Sequence, residues 1–117
     1  MKVLIVDDQA DIGTMLKNLL FNRQYSDTNS VLSGKLALEA LKKDTYNLVI
    51  CDYDMPEMNG HEVFQSMRKE GILCPFLLYT NAELASLPRF EGDGFIGAVN
   101  KKELAKLFSH IKTIAEM

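Results

Sequence analysis

Cysteine is scarce in this chain and clustered basic residues are missing from it, and the two absences narrow its chemistry. Only Cys51 and Cys74 occur in 117 residues, without a Cys-x-x-Cys spacing, which argues against a zinc or dithiol site and predicts reduced core thiols. Lys and Arg number 13 against 16 Asp and Glu, a formal charge of −3. No stretch of them has the density of a nucleic-acid patch, so direct nucleic-acid binding is not expected. His61 and His110 have no Cys or acid at ligand spacing and read as surface or boundary residues. Long apolar runs are absent too: four apolar residues, Val3 to Val6, precede the first acids, too few for a signal peptide, and nothing later could span a bilayer. The expectation is a cytoplasmic protein with no membrane partner. The length fits one domain, residues 1–117, read as a stand-alone module whose output passes through its own surface.

What is present is organised around Leu48 to Gly60, Leu-Val-Ile-Cys-Asp-Tyr-Asp-Met-Pro-Glu-Met-Asn-Gly. Four apolar residues ended by acids, proline and glycine read as a buried strand that delivers Asp52 to a turn. Val3 to Val6 ends in the same way, on Asp7-Asp8. In open parallel sheets, ligands bind outside the carboxyl ends of the strands, so three carboxylates converge at one edge. Such neighbours repel and raise a pKa unless a cation joins them. Magnesium fits: it takes hard oxygen ligands and typically uses one or two carboxylates plus a phosphate. An acid pair by itself is more often a solvated turn or a helix cap; the long motif around Asp52 is what carries the reading.

On these residues the chain resembles the receiver domains of bacterial two-component response regulators over nearly its whole length. Asp7-Asp8 matches the family's acidic pair, Asp52-x-x-Met55-Pro56-x-Met58-x-Gly60 its phosphoacceptor motif, and Thr80, at the end of a later apolar run, its hydroxyl residue. The resemblance implies that Asp52 accepts a phosphoryl group from a histidine kinase or phosphotransfer protein. It further implies that Asp8 and Asp52 bind magnesium directly, Asp7 through water and Asp54 through its backbone carbonyl. Thr80 would donate to a phosphoryl oxygen, Phe95 would be the switch aromatic that moves with it, and a downstream partner would read the change. A carboxylate nucleophile needs no general base at pH 7 and gives an acyl phosphate. Asp52 as a simple strand-end turn residue, Thr80 as a cap and Phe95 as packing are the bland alternatives.

The rest of the chain alternates apolar runs with helical stripes. Asp11 is expected to cap a first helix whose Ile12, Met15, Leu16, Leu19 and Leu20 face the core. Tyr25 to Val31 is polar and reads as a weak edge strand. Ser33-Gly34 opens a second helix with Ala37, Leu38 and Leu41 inward, and Val63, Phe64 and Met67 line a third. Pro75 to Tyr79 is the fourth strand. Pro88 leaves the fourth helix short or irregular. Phe95 to Val99 is the fifth strand, and Leu104, Leu107, Phe108, Ile111 and Ala115 stripe the last helix. This alternation predicts βαβ units in a flavodoxin-like doubly wound five-stranded parallel sheet, order 2-1-3-4-5, with about five helices.

Two departures stand out. Aligning on Gly94-Phe95-Ile96 puts Ala98 where the family has its phosphate-binding lysine, whereas distance from Asp52 points to Lys102, and no Lys-Pro pair exists. A regular strand would point residues 98 and 101 to opposite faces, so the reading takes Lys101 on condition that the chain turns or bulges after Ala98. Asn81 replaces the usual small residue after the hydroxyl. Two rival functions follow: a degenerate receiver that only mediates contacts, and an aspartate-nucleophile phosphatase built on Asp52-Tyr53-Asp54.

Overall fold

A computed structural model describes residues 1–117. Val3–Val6 forms β1, which is buried along its whole length, and Leu48–Cys51 forms β3 beside it. Both are apolar on both faces because helices cover both sides of a parallel sheet. Thr28–Val31 is β2, Phe76–Thr80 is β4 and Phe95–Asn100 is β5. All neighbours are parallel, in the order β2-β1-β3-β4-β5, the order the sequence predicts.

Four α-helices connect the strands: α1 (Ala10–Asn22), α2 (Gly34–Lys43), α3 (Gly60–Lys69) and α4 (Leu104–Ala115). On one face Leu16 and Leu20 of α1 and Leu107, Phe108 and Ile111 of α4 pack on Ile5, Ile50, Leu77, Tyr79 and Val99. On the other, Ala37 and Leu41 of α2 and Val63, Phe64 and Met67 of α3 pack on Leu4, Val6, Val49, Cys51 and Leu78. No helix is long and apolar enough to cross a membrane.

Several local expectations shift. The N-cap position of α1 is Gln9, without a side-chain cap, and Asp11 lies inside the first turn, where its charge still suits the helix dipole. Met15 is exposed and so is Ala115; neither belongs to the core. Tyr25 is not in a strand. Its N–H bonds the Leu20 carbonyl and that of Gln24, at φ 69, bonds Phe21, a left-handed helix ending that delays β2 to Thr28. Pro75 precedes β4, and its carbonyl accepts from Val49 N–H. Ser33 caps α2 as read, accepting from Leu36 N–H, and Asn59 and Glu62 form a capping box at α3 that the sequence reading passed over.

The largest difference lies between β4 and β5, where a single 3-10 turn, Leu84–Ser86, stands in place of a fifth helix. Side chains hold this segment instead. Phe90 packs among Phe64, Phe76 and Phe95, and the Arg89 carbonyl meets His61 Nε2 at 3.1 Å. Arg68 donates to the carbonyls of Asp93, Ile72 and Cys74 at 2.7, 2.5 and 3.2 Å.

Candidate functional site

The register of the sheet brings the acids together. Val6 pairs with Cys51, so the next residues, Asp7 and Asp52, leave the sheet side by side. Asp7 N–H bonds the Val31 carbonyl and Asp52 N–H the Val6 carbonyl, extending the ladder to the residues that carry the chemistry. The strand order reverses between β1 and β3, and ligands bind at such a switch point.

Gly60, the first residue of α3, lets that helix close on this corner. A Cβ there would lie 2.6 Å from the Asp52 carbonyl oxygen and 3.0 Å from Tyr53 Cα. Only glycine fits against that backbone.

Asp7 and Asp52 are buried and Asp8 is exposed. Oxygens of the three lie within 4.8 Å of one another. Lys101 Nζ lies 2.8 Å from Asp7 Oδ2 and 3.2 Å from Asp52 Oδ2, with its side chain only 8% exposed. The other oxygen of Asp7 accepts from Gln9 N–H at 2.9 Å. The other oxygen of Asp52, Oδ1, is buried with no hydrogen-bond partner. Beside these groups lies a crevice of about 190 Å³, lined by Asp8, Gln9, Asp52, Asp54, Asn81 and Lys101.

Burial raises the pKa of Asp7, against the pull of Lys101 and the Gln9 amide. Burial alone would lower that of Lys101, but the bond to Asp7 and the charge of Asp52 outweigh it and leave it raised. The ammonium is therefore held charged between two carboxylates. Cys51 is buried with its thiol pKa pushed well up; its Sγ donates to the Asp52 carbonyl at 3.1 Å, consistent with a packed, reduced thiol.

The structure thus brings together Asp7, Asp8, Asp52, Asp54 and Lys101. Lys101 reaches the crevice by a turn. β5 pairs with β4 up to Asn100, opposite Thr80, and the chain bends immediately after it. An irregularity of register lies earlier, where Phe76 pairs with Phe95 and Leu77 with Gly97, leaving Ile96 over.

Thr80 is fully buried at the end of β4, and its Oγ1 accepts from Ala82 N–H at 3.1 Å. Phe95 is not brought to it. Phe95 stands opposite Phe76, four positions before Thr80, about 13 Å along a strand. A resemblance aligned on Gly94-Phe95 put the aromatic near the hydroxyl, but the leftover Ile96 and the further residues to Lys101 hold it at the far end of β5. The sequence reading also missed Gln9 in the crevice and a bond from the Tyr79 hydroxyl to the Lys101 carbonyl, 3.1 Å. The only signal for the latter was a hydroxyl-bearing Tyr79 beside Thr80 at the end of a strand that is otherwise apolar.

A carboxylate cage with an unpartnered buried oxygen, opened to solvent by a polar crevice at the switch point of a doubly wound sheet, marks a candidate ligand site in an α/β domain of the doubly wound class. Comparison with known proteins narrows it. A family model described as response regulator receiver domain matches residues 3–112. Chemotaxis protein CheY-3 of Vibrio cholerae is 30% identical over 95% of this chain and 94% of its own length. Transcriptional regulatory protein CiaR of Streptococcus pneumoniae is 32% identical over 70% of this chain, which is 36% of its own length. The response regulator protein TrrA from Thermotoga maritima, solved in complex with Mg(2+)-BeF, superposes with a TM-score of 0.84 at 28% identity, covering 97% of this chain and 99% of that one. The chain belongs to the response regulator receiver domain family. Members of this family are signalling switches rather than enzymes of turnover.

Proposed function

We propose that residues 1–117 act as a phospho-acceptor switch in which Asp52 receives a phosphoryl group from a histidine kinase or phosphotransfer protein and a downstream protein reads the result. The observation that carries this reading is the division of Asp52: Lys101 holds Oδ2, while Oδ1 is buried and unpartnered beside the crevice. A buried carboxylate oxygen without a partner is costly unless a ligand completes it.

The residues fit magnesium: Asp7, Asp8 and Asp52 gather hard carboxylate oxygens within 4.8 Å of one another, and Asp8 and Asp52 would hold the metal directly, with Asp7 joining through water and Asp54 through its backbone carbonyl, as the family resemblance implies. When bound, the metal would cancel charge on the carboxylates and on an incoming phosphate. The chain's own residues do the rest. An Asp52 oxygen forms the new bond to phosphorus as the bond from phosphorus to the donor's ring nitrogen breaks, its electron pair staying on the ring. In this reading Lys101 would offer charge to the transferred group, and Thr80 its hydroxyl, which accepts from Ala82 N–H. In this reading Phe95 is packing, and the switch starts from Thr80.

This reading places the domain in the cytoplasm, with its donor. A contact-only receiver is the second reading, favoured by Asn81 in the crevice and by the missing helix before β5. The phosphatase reading draws no support from the family match. Intact mass after incubation with a small-molecule phosphodonor and magnesium tests the proposal. One added phosphoryl group is expected in the parent and in Asp54→Asn, and none in Asp52→Asn. No added mass in the parent would favour the contact-only receiver.

A further inference from the structure

The lysine of this site leaves its strand without the help of a proline. Lys102, not a proline, follows Lys101. Something else must fix the direction in which Lys101 departs, because its ammonium spans Asp7 and Asp52 from a turn rather than from within the sheet.

Hydrogen bonds surround that turn. Lys101 N–H donates to the Thr80 carbonyl at 3.0 Å, Glu103 N–H to the Asn100 carbonyl at 2.8 Å, and Lys102 N–H to Asn100 Oδ1 at 2.8 Å. These are local or belong to the ladder. The remaining one comes from a side chain of the neighbouring strand β4: the Tyr79 hydroxyl donates to the Lys101 carbonyl at 3.1 Å. Tyr79 is 3% exposed and belongs to the core cluster that also holds Ile5, Ile50, Val99 and Leu107. A ring fixed by packing carries its hydroxyl to one place, so this bond ties the lysine's backbone to the core as a flexible side chain could not. Burial raises the hydroxyl's pKa, so it remains a donor at neutral pH.

We infer that Tyr79 is a positioning residue for Lys101: its hydroxyl, together with the Asn100 side chain, builds the turn that aims the ammonium into the acidic crevice. The inference rests on the phospho-acceptor reading, since only there does aiming Lys101 have a use. It gives Tyr79 two distinct tasks, with the ring serving the fold and the hydroxyl serving the site, and Tyr79→Phe separates them.

The experiment is a double-mutant cycle on Tyr79→Phe, Lys101→Met, the pair and the parent. It measures affinity for beryllium fluoride, a phosphoryl mimic, in saturating magnesium, and the side-chain NH₃⁺ signal of Lys101 by NMR. Lys101→Met should weaken the mimic about tenfold or more, the scale of one bond to a charged group. Tyr79→Phe should weaken it about three- to fivefold, the scale of one neutral bond, and should broaden or shift the Lys101 ammonium signal. In the double variant Tyr79→Phe should add nothing further, because no ammonium remains to be aimed. If Tyr79→Phe costs the same factor with and without Lys101, the tyrosine acts through the fold and the inference is wrong. A parent-like ammonium signal in Tyr79→Phe also overturns it. A shifted signal alongside parent-like affinity in Lys101→Met would keep the positioning role and defeat instead the use assigned to the lysine.

Discussion

The ring of Phe90 lies stacked on that of Phe95, centroids 4.4 Å apart and planes 18° apart. Phe64 and Phe76 close around the pair, so a segment with one 3-10 turn between β4 and β5 is held by side-chain packing. Phe90→Ala should therefore lower stability by about 2 kcal/mol, combining partial loss of apolar burial with loss of the aromatic pairs. Amide exchange across residues 84–94 should speed up well beyond that of Val3–Val6. Urea unfolding and hydrogen exchange read the two effects. Unchanged protection in 84–94 would assign the hold to Arg68 and its carbonyl partners instead.

The same cluster shows where sequence patterning stops being informative. Val3–Val6 and Leu48–Cys51 were legible because strands buried on both faces have to be apolar throughout, and the acids that end them are local features. The missing helix was foreshadowed by Pro88 and by an apolar stripe reduced to Leu84 and Leu87. The placement of Phe95 was not legible, because it depends on which residue of β4 it meets, and a single leftover residue at Ile96 moves everything after it. Lys101 came from a parity argument that required a bend; the structure supplies a turn after Asn100, but its tie to Tyr79 joins two strands and leaves no pattern in either. Asp11 looked like a cap because local chemistry favours it there, whereas α1 starts one residue earlier, at Ala10 behind Gln9.

Asp8 is the exposed member of the acidic group, and its loss should separate metal binding from the fold. Asp8→Asn removes one carboxylate charge within 4.8 Å of Asp7 and Asp52 oxygens while leaving the Lys101 bridge intact. Magnesium affinity should drop at least about tenfold, and stability in the absence of metal should stay within about 0.5 kcal/mol of the parent. NMR titration with magnesium and chemical denaturation measure these. Parent-like affinity would move the metal site elsewhere.

Alkaline pH should act on the turn that presents the lysine. Tyr79 is raised above its ordinary 10.0 chiefly by burial. Lys101 is raised above its ordinary 10.5, burial pulling it down but its carboxylate partners outweighing that. In both cases the folded chain keeps a proton that the unfolded chain has already lost, so stability falls as pH rises. The stabilisation due to the Lys101 ammonium is complete below 10.5 and disappears as pH passes its folded value; the Tyr79 contribution begins to fall near 10.0. Urea midpoints should be flat from about pH 8 to 9 and decline from about pH 10, with a shallower decline in Tyr79→Phe. An identical slope in that variant would leave the decline to other groups.

Lys101 also governs how the metal-free domain tolerates its own site. Asp7 and Asp52 are each almost fully buried, and the ammonium lies between them at 2.8 and 3.2 Å. Removing one partner of a buried ion pair leaves an uncompensated charge and commonly costs about 3–5 kcal/mol. Here Lys101→Met exposes two carboxylates to each other, so its destabilisation in chelator should lie in that range, reduced if Asp7 takes up a proton, a change that burial already favours. Magnesium offers the same acids another cation. Because a ligand stabilises the state that binds it, magnesium should raise the unfolding midpoint of Lys101→Met more than that of the parent, in which the ammonium already neutralises the cage. Denaturation curves in chelator and in excess magnesium give the difference. Equal gains in the two proteins would mean that the lysine and the metal do not share these carboxylates.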